Sequence, residues 1–293
     1  MAHTETHPGS NLNAELSGLD ALELPVARRR TRGARIWAAV WPKLMASAIF
    51  FFGWQIVVWS GWKPEFLLPG PVDVVETLFD NLDTLIEAAG TTLLRAVEGF
   101  ALAVVIGSLV GALVARNRIV RSGIGSMITG LQTMPSVAWF PLAILLFKLT
   151  EGAILFVVIL GAAPSIANGL ITGIDNISPV LVRAGRVLGA RGITAFRHVI
   201  LPAALPAFIG GLKQGWAFAW RSLLAGELLV LIPGTHSLGE QLEFNNQFAD
   251  AKGLIATMMV LFLVGVVMDA LIFGTADRAV RRRYGLIDQA TAV

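Results

Sequence analysis

Apolar runs long enough to cross a bilayer recur along the chain, separated by short polar stretches. They predict an all-α, polytopic membrane protein with six transmembrane helices, at about 36–59, 91–115, 123–147, 152–174, 207–232 and 252–275. Pro135 and Pro141 interrupt the third span, and the fourth contains Pro164 and Asn168. Pro removes a backbone hydrogen bond that lipid cannot replace, so a broken span is expected to face protein or a water-filled path. Gly107 and Gly111 in the second span form a GxxxG, which lets another helix approach closely. A shorter pattern, Val74, Leu78, Leu82 and Leu85, predicts a surface helix after the turn Leu67-Leu68-Pro69-Gly70-Pro71.

The polar stretch 176–206 is long, basic and punctuated by Gly and Pro. Ser178 is placed to cap a helix with Pro179 in its first turn. Val180, Leu181, Ala184, Val187 and Leu188 fall on one arc of it, with Arg183 and Arg186 off that arc. Gly189 and Gly192 break the helix. Thr194 is placed to cap a second short one through Ala195, Phe196 and Val199, which Pro202 and Pro206 are expected to stop. The pattern is that of a helix-turn-helix knob on the membrane surface, held between two spans.

Charge orients these elements. Arg28, Arg29, Arg30, Arg32 and Arg35 precede the first span; Arg116, Arg118 and Arg121 follow the second. The knob carries Arg183, Arg186, Arg191 and Arg197, and Arg278, Arg281, Arg282 and Arg283 follow the last span. The alternate stretches are acidic or short. Residues 63–87 hold Glu65, Asp73, Glu76, Asp80, Asp83 and Glu87 against Lys63, and 233–251 hold Glu240, Glu243 and Asp250 with no Lys or Arg. The positive-inside rule therefore places both termini and the knob in the cytoplasm. Trp37, Trp41, Trp54 and Trp59 suit the interface at the ends of the first span. Residues 1–35 read as a flexible basic tail without the apolar core of a signal peptide, 36–90 as the first span and outer loop, 91–285 as the core, and 286–293 as a tail. The adjacent span explains the first Arg cluster without nucleic acid.

Composition narrows the chemistry. With 55% hydrophobic and 15% charged residues in 293, and a mean hydropathy of +0.69, the chain is too apolar for a soluble domain of its size. It has no Cys, and His3, His7, His198 and His236 show no ligand spacing, so no metal site is expected. There is no GxxxxGK[ST] phosphate loop and no Ser/His/Asp or paired-carboxylate constellation. The chain is expected to position a solute rather than to catalyse, with its energy supplied by a partner.

Charges within spans are expensive in hydrocarbon, which makes Arg95, Glu98, Arg221 and Glu227 pathway candidates. Counted from Thr91, Arg95 and Glu98 lie ~6 and ~10 Å deep; counted from Ile232, Arg221 and Glu227 lie ~16 and ~8 Å deep. Similar depths allow Glu227 to pair with Arg95 and Arg221 with Glu98, and such pairs have the alternative role of locking two helices together. Arg221 is also the residue placed to offer a positive site to an anion. Lys213 and Asp269 are expected to snorkel. Trp216 and Trp220, one turn apart, and Met134 before Pro135 are gate candidates, with packing the alternative role for the two Trp.

The spacing Ala184, Gly185, Gly189, Val199, Leu201, Pro202 resembles the EAA loop of ABC-importer permeases. Arg183 departs from it where Glu is common, and Gly185 where Ala is common. Leu67-Leu68-Pro69-Gly70-Pro71, residues 92–100, the Pro135 to Pro141 stretch and residues 219–228 are similar to the nitrate, sulfonate, taurine and bicarbonate branch of that family. The resemblance implies a type I importer permease in the bacterial plasma (inner) membrane, working as a homodimer. It implies two separate ATPase subunits that carry ATP and Mg, and an extracytoplasmic solute-binding protein. This chain itself would need no cofactor. Arg183, Ala184, Gly185, Gly189, Ala190, Val199, Leu201 and Pro202 would form the coupling contact with the ATPase. The alternative that the spans alone allow is a secondary transporter or channel for a small ion, not driven by ATP.

Overall fold

A computed structural model describes residues 32–116 and 118–283, and the regular elements among them are helices. The terminal tails expected from the sequence lie mostly outside the described residues. Helix α1, Arg32–Trp59, has Pro42 in its interior, and none of its residues from Val40 to Trp59 is buried. Helix α2, Pro71–Asp80, takes Pro71 in its first turn and buries Val74. The long α3, Leu82–Arg116, begins well before the predicted second span, because Leu82 and Leu85 belong to it and not to the surface helix.

The third predicted span is two helices. α4, Arg118–Thr133, and α5, Phe140–Phe147, are joined through a 3-10 turn at Ser136–Trp139, and the two halves of the span meet at 105°. α6, Glu151–Asp175, follows with Pro164 inside it. Among the described residues five helices are long and apolar enough to cross a membrane, and the bent pair makes a sixth if counted as one span.

The knob consists of α7, Pro179–Val187, and α8, Gly192–Ala195. α7 ends in a Schellman arrangement. Ala190 N–H donates to Gly185 C=O at 2.9 Å and Gly189 N–H to Arg186 C=O at 3.0 Å, with Gly189 at φ +88°. Ser178 flanks α7 but makes no side-chain cap, and Thr194 lies inside α8, whose N-cap is Arg191. Pro202 and Pro206 do not stop the second helix. A π turn at Phe196–Ile200 links α8 to α9, Leu201–Leu229, as one run from Gly192 to Leu229. The π turn shifts the hydrogen-bond register so that Pro202, which has no N–H, falls at the start of the new α register, where least is lost. Then come α10, Leu238–Gln247, and α11, Ala251–Met268; a π turn at Asp269–Phe273 joins α11 to α12, Gly274–Arg283.

The core is α6, packed between α3 and α9. Small residues make this approach possible. A Cβ on Gly107 would lie 2.6 Å from Ala163 O, one on Gly111 2.9 Å from Ala167 O, and one on Gly173 2.7 Å from Ala204 O. Gly169 and Gly211 meet backbone to backbone. The sequence of contacts shows α3 parallel to α6 and α9 antiparallel to it. Around the seam, Phe140, Ile154, Val157, Val158, Ile166, Trp216 and Leu223 close the apolar core. Arg121 and Asp175 form an ion pair at the Arg-rich end.

Gly107→Ala should therefore cost about 1–3 kcal/mol through overpacking. Gly90→Ala, where no atom lies within 4 Å of the added Cβ, should be neutral or mildly stabilising. Thermal unfolding in detergent, followed by Trp fluorescence, compares them; equal melting would mean the seam has slack.

Candidate functional site

Two groups of polar side chains stand out in the spans, one buried and one exposed. The buried group centres on Glu227, which is 1% exposed in the last turns of α9. Its carboxylate accepts from Arg95 Nη1 at 3.2 Å, from Thr92 Oγ1 at 3.0 Å and from the Gly239 N–H at 3.1 Å. Arg95, itself buried, turns its Nε and Nη2 to Glu151 Oε1 at 3.3 and 3.1 Å. Thr92 Oγ accepts from the Leu238 N–H at 2.9 Å. α3 supplies Thr92 and Arg95, α6 supplies Glu151, α9 supplies Glu227, and α10 presents its first turn. A lone buried charge would be costly; here each is paired and hydrogen-bonded.

The predicted Arg95–Glu227 pair forms, but Arg221–Glu98 does not. Arg221 is exposed, with its guanidinium 5.6 Å from the centre of the Phe218 ring, and among the described residues no ion pair joins it to Glu98. Glu98 is also exposed, on the side of α3 that carries Leu94, Leu102 and Leu109. Equal depth was a sound guide to one pair and not the other, because depth carries no information on which way each helix is turned. Lys213 and Asp269 are paired at 3.3 Å rather than merely snorkelling. The sequence reading missed Thr92, Glu151 and the amides of Leu238 and Gly239. Thr92 lies one helical turn from Arg95, and Ser237 with Glu240 is a capping-box spacing that marks where α10 begins.

The exposed group runs along α9. Gly210, Gln214 and Arg221 are exposed on one face, with the small Ala217 between them. Asn168 and Thr172 of α6 are exposed one turn apart. By contrast, apart from Glu98 on α3, the exposed sides of α3 and α11 carry Leu102, Val105, Leu109 and Leu113, and Phe262, Leu263 and Val266.

The gate candidates separate by position. Trp216 is buried, edge-on to Phe100 at 5.3 Å and stacked with the half-buried Trp220 at 6.3 Å. Met134 and Pro135 are exposed at the 105° break. Gln132, just before it, donates to the buried Ser165 Oγ at 3.1 Å and so fixes α4 to α6.

At the Arg-rich end, α7 turns only Gly185 inward. Gly185 faces Val199, and an added Cβ would lie 2.8 Å from its Cγ2. The predicted apolar arc points away from the chain: Val187 and Leu188 are each 86% exposed, as is Ile193 at 85%. Arg183, Ala184 and Gly189 are exposed beside them, Ala190 is half-buried, and Leu201 and Pro202 begin α9. A hollow of about 420 Å³ between the knob's two helices is lined by Val182, Arg186, Ala190, Arg191 and Val199.

Residues 103–282 match the family model described as binding-protein-dependent transport system inner membrane component. A probable ABC transporter permease protein of Brucella melitensis is 32% identical over 238 residues, covering 80% of this chain and 94% of its own. The nitrate import permease protein NrtB of Synechococcus elongatus is 28% identical over 201 residues, 64% of this chain and 71% of its own. The taurine transport system permease protein TauC of Escherichia coli is 26% identical over 223 residues, 74% of this chain and 80% of its own. Among solved structures, a chain of the inward-facing MetNI methionine ABC transporter superposes with a TM-score of 0.57 at 21% identity, covering 69% of this chain and 97% of that one.

Removing the buried cation should be far costlier than removing its exposed partner. Arg95→Met leaves Glu227 buried and unpaired, at about 3–5 kcal/mol. Glu151, whose side chain is 52% exposed, should lose less than about 1 kcal/mol as Glu151→Gln. Thermal unfolding in detergent reads both, and similar losses would contradict this ranking.

Proposed function

The chain belongs to the family of binding-protein-dependent transport system inner membrane components, and from that membership we propose that two copies of it line the path of a small anion. As an ABC importer permease subunit it is a transporter component and not an enzyme; ATP hydrolysis belongs to a separate subunit. The family implies ATPase and solute-binding partners. For this multi-pass chain the family implies the inner membrane.

The observation that carries the reading is the exposed stripe of α9. Gly210, Gln214 and Arg221 sit within a helix of membrane-spanning length, where lipid can satisfy neither an amide nor a guanidinium. Small and polar residues at an exposed face suit a second copy and a water-filled path between the two. Arg95 and Lys213 are each neutralised by carboxylates of the same chain. Among the described residues no carboxylate pairs with Arg221, and a cation held against Phe218 favours an anion passing it. This supports nitrate, taurine, another sulfonate or bicarbonate as the solute class, in keeping with the names of relatives that import nitrate and taurine.

The knob supports the coupling role. Val187, Leu188 and Ile193 expose apolar surface at the end expected in the cytoplasm, beside Arg183 and Arg191. An ATPase groove covering that surface would pull on a helix that runs unbroken, though π-bulged, from Gly192 to Leu229. The run spans roughly 57 Å at the α-helical rise. Closure of the ATPases on ATP would thus tilt α9 and open the path outward. Hydrolysis would reset it.

Purification from native membranes in gentle detergent should recover an ATPase with this chain. Leu188→Asp, on the exposed apolar surface, should lose it while leaving the permease folded. Reconstituted complexes should take up nitrate, taurine or a short alkanesulfonate only with ATP. Arg221→Ala should cut that uptake at least about tenfold with assembly unchanged, since a charged hydrogen-bonding partner is worth ~1.5–3 kcal/mol. Equal losses of uptake and assembly would assign Arg221 to packing. Uptake without ATP would favour a secondary transporter.

A further inference from the structure

Every helix begins with N–H groups that its own turns cannot satisfy. In α10 the first three find partners outside the helix ladder. Glu240 N–H goes to the Ser237 side chain at 3.3 Å, an ordinary N-cap. The other two leave the segment altogether. Leu238 N–H goes to Thr92 of α3, and Gly239 N–H to the carboxylate of Glu227 in α9. A carboxylate at a helix N-terminus also meets the positive end of the helix dipole. Gly239 is the residue that lets Glu227 come so near, since an added Cβ would collide with the Glu227 side chain. Thr92 and Ser237 are buried with Glu227, so water does not compete for these bonds.

We propose that Glu227 and Thr92 are positioning residues that cap α10 in trans, so that this acidic segment moves as one piece with the outer end of α9. The inference rests on the importer reading, in which the segment faces the solute-binding protein and α9 lines the path. Phe244 and Phe248, packed at 4.5 Å and mostly exposed, mark the surface of α10 on which such a load would act. From Glu227 the same helix reaches Arg221 in about 9 Å. A load on α10 therefore reaches α9 directly through the Gly239–Glu227 bond and indirectly through Leu238–Thr92–Glu227, and Arg221 lies under two turns of helix further on. Arg95 orients Glu227, and Glu151 ties Arg95 to α6.

Hydrogen-exchange mass spectrometry on the permease with its co-purified ATPase tests this, with the probe being ATP plus vanadate. Two peptides are followed, one covering α10 and one covering the outer end of α9. In the wild type both should change protection together on trapping. In Thr92→Val and in Glu227→Gln the α9 peptide should still respond while the α10 peptide does not. The α10 amides should exchange about tenfold faster without nucleotide, as expected for lost hydrogen bonds to a charged or buried acceptor. Thr92→Ser, which keeps the hydroxyl, should behave as the wild type, so the effect of Thr92→Val is that of the lost hydrogen bonds and not of the altered side-chain volume. If the α10 peptide follows α9 in both variants, the trans cap does not transmit motion and the proposal falls. If an active ATPase co-purifies but neither wild-type peptide responds, the proposal falls while the importer reading stands. If no ATPase co-purifies, both fall.

Discussion

Close approach of backbones along α6 is the constraint on which the rest of this structure depends. In lipid there is no hydrophobic gain in bringing two apolar helices together, so association rests on packing and on interhelical hydrogen bonds. α6 meets α3 through Gly107 and Gly111, and α9 through Gly169, Gly173 and Gly211, with Ala163, Ala167 and Ala204 opposite. At such short separations a single added methyl is felt along the whole contact. The seam sets the rotation of α3 and α9 about their own axes. That rotation then decides which of their polar residues point inward and which do not.

The charges follow from this setting. Arg95 and Glu227 turn toward each other and are buried with Thr92 and two backbone amides as partners. Arg221, on the same helix as Glu227, turns outward with its guanidinium beside the Phe218 ring. One helix thus carries a buried, paired charge at its outer end and an exposed one deeper in, separated by the face each occupies. The bend at Met134 and Pro135 obeys the same economy. Backbone groups freed there are tolerable only where protein or water can reach them, and Gln132 secures the approach to the bend through Ser165.

A mechanical line follows from the knob to the acidic end. α7 packs back on the knob through Gly185 and Val199 and keeps its apolar side free. The π turn after α8 carries the chain into α9 without a hinge-like break, despite Pro202 and Pro206. Near the end of α9, Glu227 receives the first turn of α10. The polar stripe lies within this helical run, between the knob and the contact with α10.

Much of this was legible in the amino-acid order. The spans and the break at Pro135 could be read, as could the Schellman glycine of the knob and the close approach at Gly107 and Gly111. Length of apolar run, Pro, Gly and helical spacing all act locally, within a few residues of where they are written. The resemblance to importer permeases was carried by such local strings. Where local signals misled, a neighbouring element had intervened. Pro202 reads as a stop until the π turn absorbs it, and Leu82 reads as part of a surface helix until α3 claims it. What tertiary structure alone decided was partnership. The sequence gives each charge a depth and a face relative to its own helix axis, but the 3.6-residue period says nothing of how one axis is turned against another. Close packing along α6 fixes that turn, and so pairs Glu227 with Arg95, brings in Thr92, Glu151 and the amides of α10, and leaves Arg221 facing out.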